Sequence, residues 1–253
     1  MEREVLVVRK GVGRMEEASD RFSPEAQAAF ERLLRMQKCE EAFDFAFVER
    51  CSHDSESLIR CEAAAALGID RCGEGERILI RLTDDPNHLV RTEACESLAW
   101  YESEKVLRVL ERKIRRDRSV MVRAYAVSVY GDVVQALGRS REEAAVFLES
   151  RLLRERSSWG RLAWAEVLYK FGRETYLNEL LNGLELPDLS SRCMAGNGLR
   201  EVVNVGNCRK IRTAALDWLG RESAASSVEI AVKLIETCIE TEYGAKPQGG
   251  LIP

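Results

Sequence analysis

The chain has 253 residues, of which 45% are apolar and 32% charged, with only five prolines; that balance excludes a disordered polymer and describes a helical, water-soluble protein. A formal charge of −4 argues against a surface built throughout for nucleic-acid phosphate. No apolar run approaches the roughly eighteen residues of a membrane span, and Val5-Leu6-Val7-Val8 is too short for a signal-peptide core, so a cytoplasmic location away from any membrane is expected.

In chain order, residues 1–21 combine that short apolar run with Gly11-Val12-Gly13 and an acidic stretch, which reads as a flexible arm. Helices begin at Ser23-Pro24, an N-cap followed by proline at the first helical position, and Ala26, Phe30, Leu33 and Leu34 fall on one face. The spacing then predicts six antiparallel pairs: 40–51 with 54–67, 75–83 with 86–101, 104–116 with 119–137, 141–154 with 158–171, 174–184 with 189–204, and 208–220 with 227–242. Ser140 with Glu143 and Ser226 with Glu229 have capping-box spacing, Gly68, Gly131 and Gly172 read as helix ends, and Pro86 and Pro187 as helix starts. Residues 22–243 are expected to form one repeat domain, a right-handed α-α superhelix, and 244–253, with Pro247 and Gly249-Gly250, a disordered tail.

A six-residue offset recurs through these pairs. Asp54 and Arg60, Asp85 and Arg91, and Asp117 and Arg123 share it, with the arginines 31 and 32 residues apart. A small residue follows each arginine at plus three and a large one at plus seven: Ala63 and Leu67, Ala94 and Leu98, Ala126 and Tyr130. Such self-similarity marks a solenoid, in which neighbours complete each other's core. Glu155 and Arg161 keep the offset after a longer turn; Arg192, Ala195 and Leu199 also match, but position 186 is Leu where an acid is expected.

The segment Asp85-Pro86-x-x-x-Val90-Arg91-x-x-Ala94-x-x-x-Leu98 resembles the second helix of a HEAT repeat, and the short period is similar to the HEAT-like repeats named after phycobilisome lyases. The likeness covers roughly residues 40–200. It implies an all-α fold in which the acids and arginines form a ladder of hydrogen bonds between neighbouring pairs. An arginine fork matches a carboxylate, and charge-assisted hydrogen bonds are worth about 1.5–3 kcal/mol when shielded. Asp54, Arg60, Asp85, Arg91, Asp117, Arg123, Glu155 and Arg161 are therefore assigned a structural role.

Function is sought on other faces. Positions two, five and nine after each ladder arginine share a side of the second helix, which commonly lines the concave surface of a solenoid. They include Glu62, Glu93, Glu96, Trp100, Tyr125, Asp132, Glu166 and Lys170, with Tyr101 beside them. Carboxylates with aromatic anchors suit a basic protein or peptide and suit nucleic acid poorly, although a plain solvated helix face would carry the same glutamates. Lys105, Arg108, Arg112 and Arg115, spaced at three and four residues, form a candidate ridge for an anionic partner.

Catalytic signatures are missing: no Walker loop, GxSxG, HExxH or dinucleotide fingerprint occurs. Eight cysteines without a CxxC pair, and two histidines, His53 and His88, offer no evident zinc centre or disulfide framework, so core thiols and no cofactor or metal are expected. The reading is a monomeric, non-catalytic HEAT-like scaffold for a basic protein partner. The alternative is an accessory or enzymatic HEAT-like protein, a chromophore-lyase subunit or a nucleic-acid repair enzyme, both of which the repeat resemblance admits.

Overall fold

The computed structural model describes residues 23–71 and 73–244; the arm expected at 1–21 and the tail expected beyond Gly244 lie outside them. Every regular element there is helical, and the helices group into two compact units that meet in sequence at Trp100 and Tyr101. The first unit holds α1 (Pro24–Gln37), α2 (Phe45–Cys51), α3 (Ser57–Asp70), α4 (Gly73–Leu82) and α5 (His88–Ser97), the last extended by a 3-10 turn, Leu98–Trp100. The second holds α6 (Glu104–Arg116), α7 (Val120–Ala136), α8 (Arg141–Leu152), α9 (Ser158–Lys170), α10 (Tyr176–Gly183), α11 (Leu189–Val202), α12 (Cys208–Leu219) and α13 (Ala225–Tyr243).

The six expected pairs form, and the second helices stack: α3 on α5 in one unit, where α1 also packs on α3, and α7 on α9 on α11 on α13 in the other. The plus-three and plus-seven positions explain why. Ala63, Leu67, Ala94 and Leu98 are fully buried, as are Ala195 and Leu199, so each second helix is a flat apolar wall for the next. Amphipathic first helices cover this stack; on α6, Val106, Leu110 and Ile114 face inward beneath the charged ridge.

Two glycines expected to end helices lie inside them. Gly68 belongs to α3 and Gly131 to α7, and their role is close approach: a Cβ on Gly131 would lie 2.7 Å from Cγ1 of Val167 on α9, and one on Gly68 3.1 Å from Cβ of Ser97 on α5. The helices end elsewhere. Arg71 takes a left-handed conformation (φ 58°) after α3, and Gly138 (φ 61°) closes α7 while the Arg139 N–H donates to the Val134 carbonyl at 2.9 Å. Gly172 (φ 90°) closes α9 as expected. The Ser140 hydroxyl accepts from the Glu143 N–H at 3.2 Å, but Ser226 caps nothing, because α13 starts one residue earlier at Ala225.

The ladder is present, with a register that corrects one expectation. Arg60, Arg91, Arg123 and Arg192 each bond the backbone carbonyl six residues back, and Arg60, Arg123 and Arg192 also grip a carboxylate of the following pair. Arg60 donates to the Asp54 carbonyl at 2.8 Å and forks onto Asp85 at 2.7 and 2.9 Å. Arg123 repeats this with the Asp117 carbonyl at 2.9 Å and Glu155 at 2.8 Å. The acids also serve the turns: Asp54, Asp85, Asp117 and Glu155 each accept the backbone N–H two residues on, at 2.8 to 3.0 Å, and so begin the second helix. Burial raises the Asp85 carboxyl, but the Arg60 fork and the Asn87 N–H outweigh it and hold it below its ordinary value.

Leu186 therefore deprives Arg161 of an acid, not Arg192. Arg161 turns to Glu179 on α10 at 3.0 Å, whereas Arg192 bonds the Leu186 carbonyl at 2.9 Å and has a full partner in Glu222. Glu222 also accepts from the Trp218 indole N–H at 2.9 Å and the Ser227 hydroxyl at 2.8 Å.

Candidate partner-binding face

The sequence around Asp85 builds the clearest part of this face. Asp85-Pro86-Asn87 turns the chain, the Asn87 side chain accepts the Leu89 N–H at 2.8 Å, and α5 starts with Val90 and Ala94 fixed in the core. That orientation puts Glu93 and Glu96, three residues apart, on a common side, next to α3, which carries Glu62.

These glutamates are not a solvated helix face. Glu62 is buried and accepts from the Gln37 side chain at 2.8 Å; Glu93 and Glu96 are half-buried. The Ser97 hydroxyl reaches Glu93 over a long 3.4 Å, and Oε2 of Glu96 is shut off from solvent without any hydrogen-bond partner. Burial, followed by the charges of Glu96 and Glu62, pushes the Glu93 carboxyl up to about 8, and burial takes Glu96 to about 7. The Cys61 thiol on α3 is driven well above its ordinary value by burial and then by Glu93, Glu62 and Glu96. Trp100 is half-buried, with the Arg71 guanidinium 4.1 Å over its ring.

The rest of the row belongs to the second unit and differs. Glu166 is buried against Nζ of Lys170 at 2.6 Å, Tyr101 is buried at 6% exposure, and Tyr125 and Asp132 are half-buried. Burial disfavours the Lys170 charge, but Glu166, Glu201 and Asp132 outweigh that and hold the ammonium above its ordinary value. Tyr101 and Glu166 thus lack the exposure a contact anchor needs. Near the ends of α9 and α11, Tyr169, Lys170, Glu201 and Asn204 line an open cleft of about 440 Å³, where the Tyr169 hydroxyl accepts from Asn207 at 3.0 Å. Sequence reasoning missed this group, because the partners are 38 residues apart and follow no motif.

The basic ridge is real as a surface. Lys105, Arg108, Arg112 and Arg115 are all exposed on α6. Arg115 bonds Glu111 at 3.1 Å and covers the Phe147 ring at 4.8 Å, while Glu104 pairs with Arg139. Lys113, on the same helix, is buried beside Asp117 at 3.7 Å. Among the described residues no group of three or more His, Cys, Asp or Glu is placed to hold a metal ion, seven cysteines are free thiols, and no helix is long and apolar enough to cross a membrane.

Residues 45–131 match the family model for HEAT repeats. A search of curated proteins finds no match to the sequence. Among solved structures, the chain is similar to a chain in the complex of CpcE and CpcF of phycocyanin lyase from Nostoc sp., at 16% identity and a TM-score of 0.55, over 87% of this chain and 92% of that one. It is similar also to YibA from Escherichia coli, at 17% identity and a TM-score of 0.53, over 87% of this chain and 79% of that one. Likeness at such identities speaks for the fold and leaves function to the site. Residues 45–131 are HEAT repeats, and the chain has the all-α architecture of the HEAT-like helical solenoids.

Proposed function

We propose that this chain is a non-catalytic, cytoplasmic scaffold that binds a basic protein through the second-helix face of its first unit. One observation carries the reading: Glu93 and Glu96 sit half-buried, side by side in the repeat register, with no cation among the described residues pairing them. Helical repeats offer this face to partners, and a carboxyl kept from water and left unpaired either holds its proton or is costly until a cation binds there. The similar phycocyanin-lyase chain was solved in a complex of two proteins, which is in keeping with a protein partner here.

The test is affinity capture with the full chain, followed by mass spectrometry. The wild type is expected to retain a basic protein that Glu93→Lys/Glu96→Lys loses while its circular dichroism stays the same. Recovery of the same protein by both forms, or of none by either, defeats the proposal. Glu166 is left out of the variant, because a lysine there would face the Lys170 ammonium and test folding instead.

A further inference from the structure

The last pair keeps the repeat register but not its rung. Earlier second helices start at 57, 88, 120, 158 and 189, three residues after the acid position, and α13 starts three after Glu222, at Ala225. The small and large residues of the apolar wall are then Ala231 and Ile235, three and seven after the ladder position. That position itself, six after Glu222, holds Val228 in place of arginine, so the internal ladder stops at this helix.

The earlier helices show what the outer side of α13 is built to meet. Four residues after the ladder position, Ala64, Val127 and Ala165 are fully buried, and a Cβ on Gly196 would lie 2.7 Å from Trp218 and 2.8 Å from Ile230 of the next pair. A following helix covers the position each time. In α13 it is Val232, 39% exposed. Ile239 and Tyr243, 41% and 71% exposed, and the half-buried Val228 lie within about 40° of it around the helix, making an apolar stripe about 23 Å long. A repeat that closes a solenoid carries a polar outer face, so this side is a stacking wall without its neighbour.

One edge of the stripe is acidic. Glu229, Glu236 and Glu240 are exposed along it; Lys233 pairs with Glu229 at 2.8 Å, whereas Glu236 and Glu240 meet no cation among the described residues. The other edge has its charge answered, because Glu242 is held by Arg209 at 2.6 Å and by Arg212. We propose that α13 docks a helix of a partner protein whose apolar side is edged by lysine or arginine, laid against Val232 and Ile239 where a further repeat helix would sit.

Charge decides between this occupant and a second copy of the chain. A two-fold pairing of α13 with itself sets the acidic edge against its own counterpart, three glutamates and one lysine against the same four, and like charges repel. A helix with cations on that edge meets Glu236 and Glu240 with attraction while its apolar anchors cover the stripe. The contact belongs to the second unit alone and does not depend on the first-unit glutamates.

The test is fluorescence anisotropy with the full chain. The probe is a stapled helical peptide of about eighteen residues, long enough to span the stripe, with leucines on one side and lysines along one edge. Its controls exchange the lysines for glutamates or the leucines for serines. The lysine-edged peptide is expected to bind saturably, and each control about tenfold or more weakly. Glu236→Lys/Glu240→Lys should reverse the preference between lysine and glutamate edges. Val232→Ser/Ile239→Ser should weaken the lysine-edged peptide by about tenfold or more and leave circular dichroism unchanged, because both side chains face outward. Glu93→Lys/Glu96→Lys should not alter it, so this proposal and the scaffold reading fail separately.

A lysine-edged peptide that does not bind, that binds no better than the glutamate-edged one, or that ignores the double Ser variant overturns the docking site. A dimer in sedimentation that Val232→Ser/Ile239→Ser dissolves overturns it in favour of a second copy. Tighter peptide binding by Leu251→Ser/Ile252→Ser overturns it in favour of the chain's own residues 245–253.

Discussion

Replacing Glu96 by Gln should make the protein more stable at alkaline pH and change little in mild acid. Gln keeps the shape of a protonated carboxyl and cannot ionise. The sign follows from linkage: when a carboxyl titrates higher in the folded chain than in the unfolded one, the folded state holds the extra proton, so stability falls as pH rises between the two values. Burial moves Glu96 from near 4.5 to about 7 and, helped by its acidic neighbours, Glu93 to about 8. Each displaced carboxyl contributes a slope of up to about 1.4 kcal/mol per pH unit across its window. For Glu96 alone that integrates to about 3 kcal/mol as a ceiling; half-burial and solvent screening reduce it to on the order of 1–2 kcal/mol. Urea unfolding of wild type, Glu96→Gln and Glu93→Gln/Glu96→Gln at intervals from pH 5 to pH 9 measures the differences. The curves should lie closest near pH 5, separate as pH rises from there to about 7, and keep their separation above the window, with the double variant flattest. Parallel curves across the range would show that these carboxylates ionise as ordinary surface groups, and the argument for an unpaired acidic face would fail with them.

Other expectations follow from the packing and the ladder. Arg60→Ala and Arg192→Ala should each cost about 3 kcal/mol in urea unfolding, within about 1 kcal/mol of each other, because each strands a well-shielded acid, Asp85 or Glu222. A much smaller cost at Arg192 would refute the assigned Glu222 partner. Gly131→Ala should lose about 1–3 kcal/mol through its clash with Val167, and Val167→Ala should restore part of that in a double-mutant cycle; an additive pair would deny the contact. Hydrogen bonds from Arg192, Ser227 and Trp218 lower the Glu222 carboxyl to about 2, so its stabilisation is present above the ordinary carboxylate range and lost as pH falls toward 2. Glu222→Gln should remove that part of the acid-induced drop in melting temperature.

The repeat was legible in the sequence because the solenoid writes its contacts locally: Ala and Leu at fixed distances from an arginine report one buried wall, and an acid six residues earlier reports the turn before it. What the spacing left ambiguous was direction. An arginine six residues after an acid could grip that acid's side chain or its carbonyl, and only the folded chain shows that Arg60 takes the carbonyl of Asp54 and the carboxylate of Asp85. Hence Leu186 suggested a missing rung at Arg192, when the true partner, Glu222, lies 30 residues on and outside the motif. Gly68 and Gly131 misled for a similar reason. Glycine serves both helix ends and close helix contacts, and the second use depends on a neighbour more than 25 residues away. The acidic positions were identifiable, but their burial was not, because periodicity fixes a face of one helix and says nothing about how far the next helix overhangs it.

Unsatisfied polar atoms do not mark a site by themselves in this protein. Gln27 Oε1 on α1 and Trp164 Nε1 on α9 are also buried without partners, on helices other than the one that carries Glu93 and Glu96. An amide oxygen or an indole N–H in that state costs about 1–3 kcal/mol once and stays neutral. Glu96 is different because it can be charged, because its neighbour Glu93 carries the same sign, and because the equivalent glutamate elsewhere in the chain has a lysine on it. A sequence that only needed a helix former at position 96 could use alanine or glutamine without penalty, and one that only needed an internal ion pair could place lysine at 100 as it does at 170. Keeping two acids and withholding the cation leaves a pair that is neutral only while it holds protons, unless a cation is brought to it, and on the scaffold proposal this makes the first unit, and not the better paired second, the place to seek a partner.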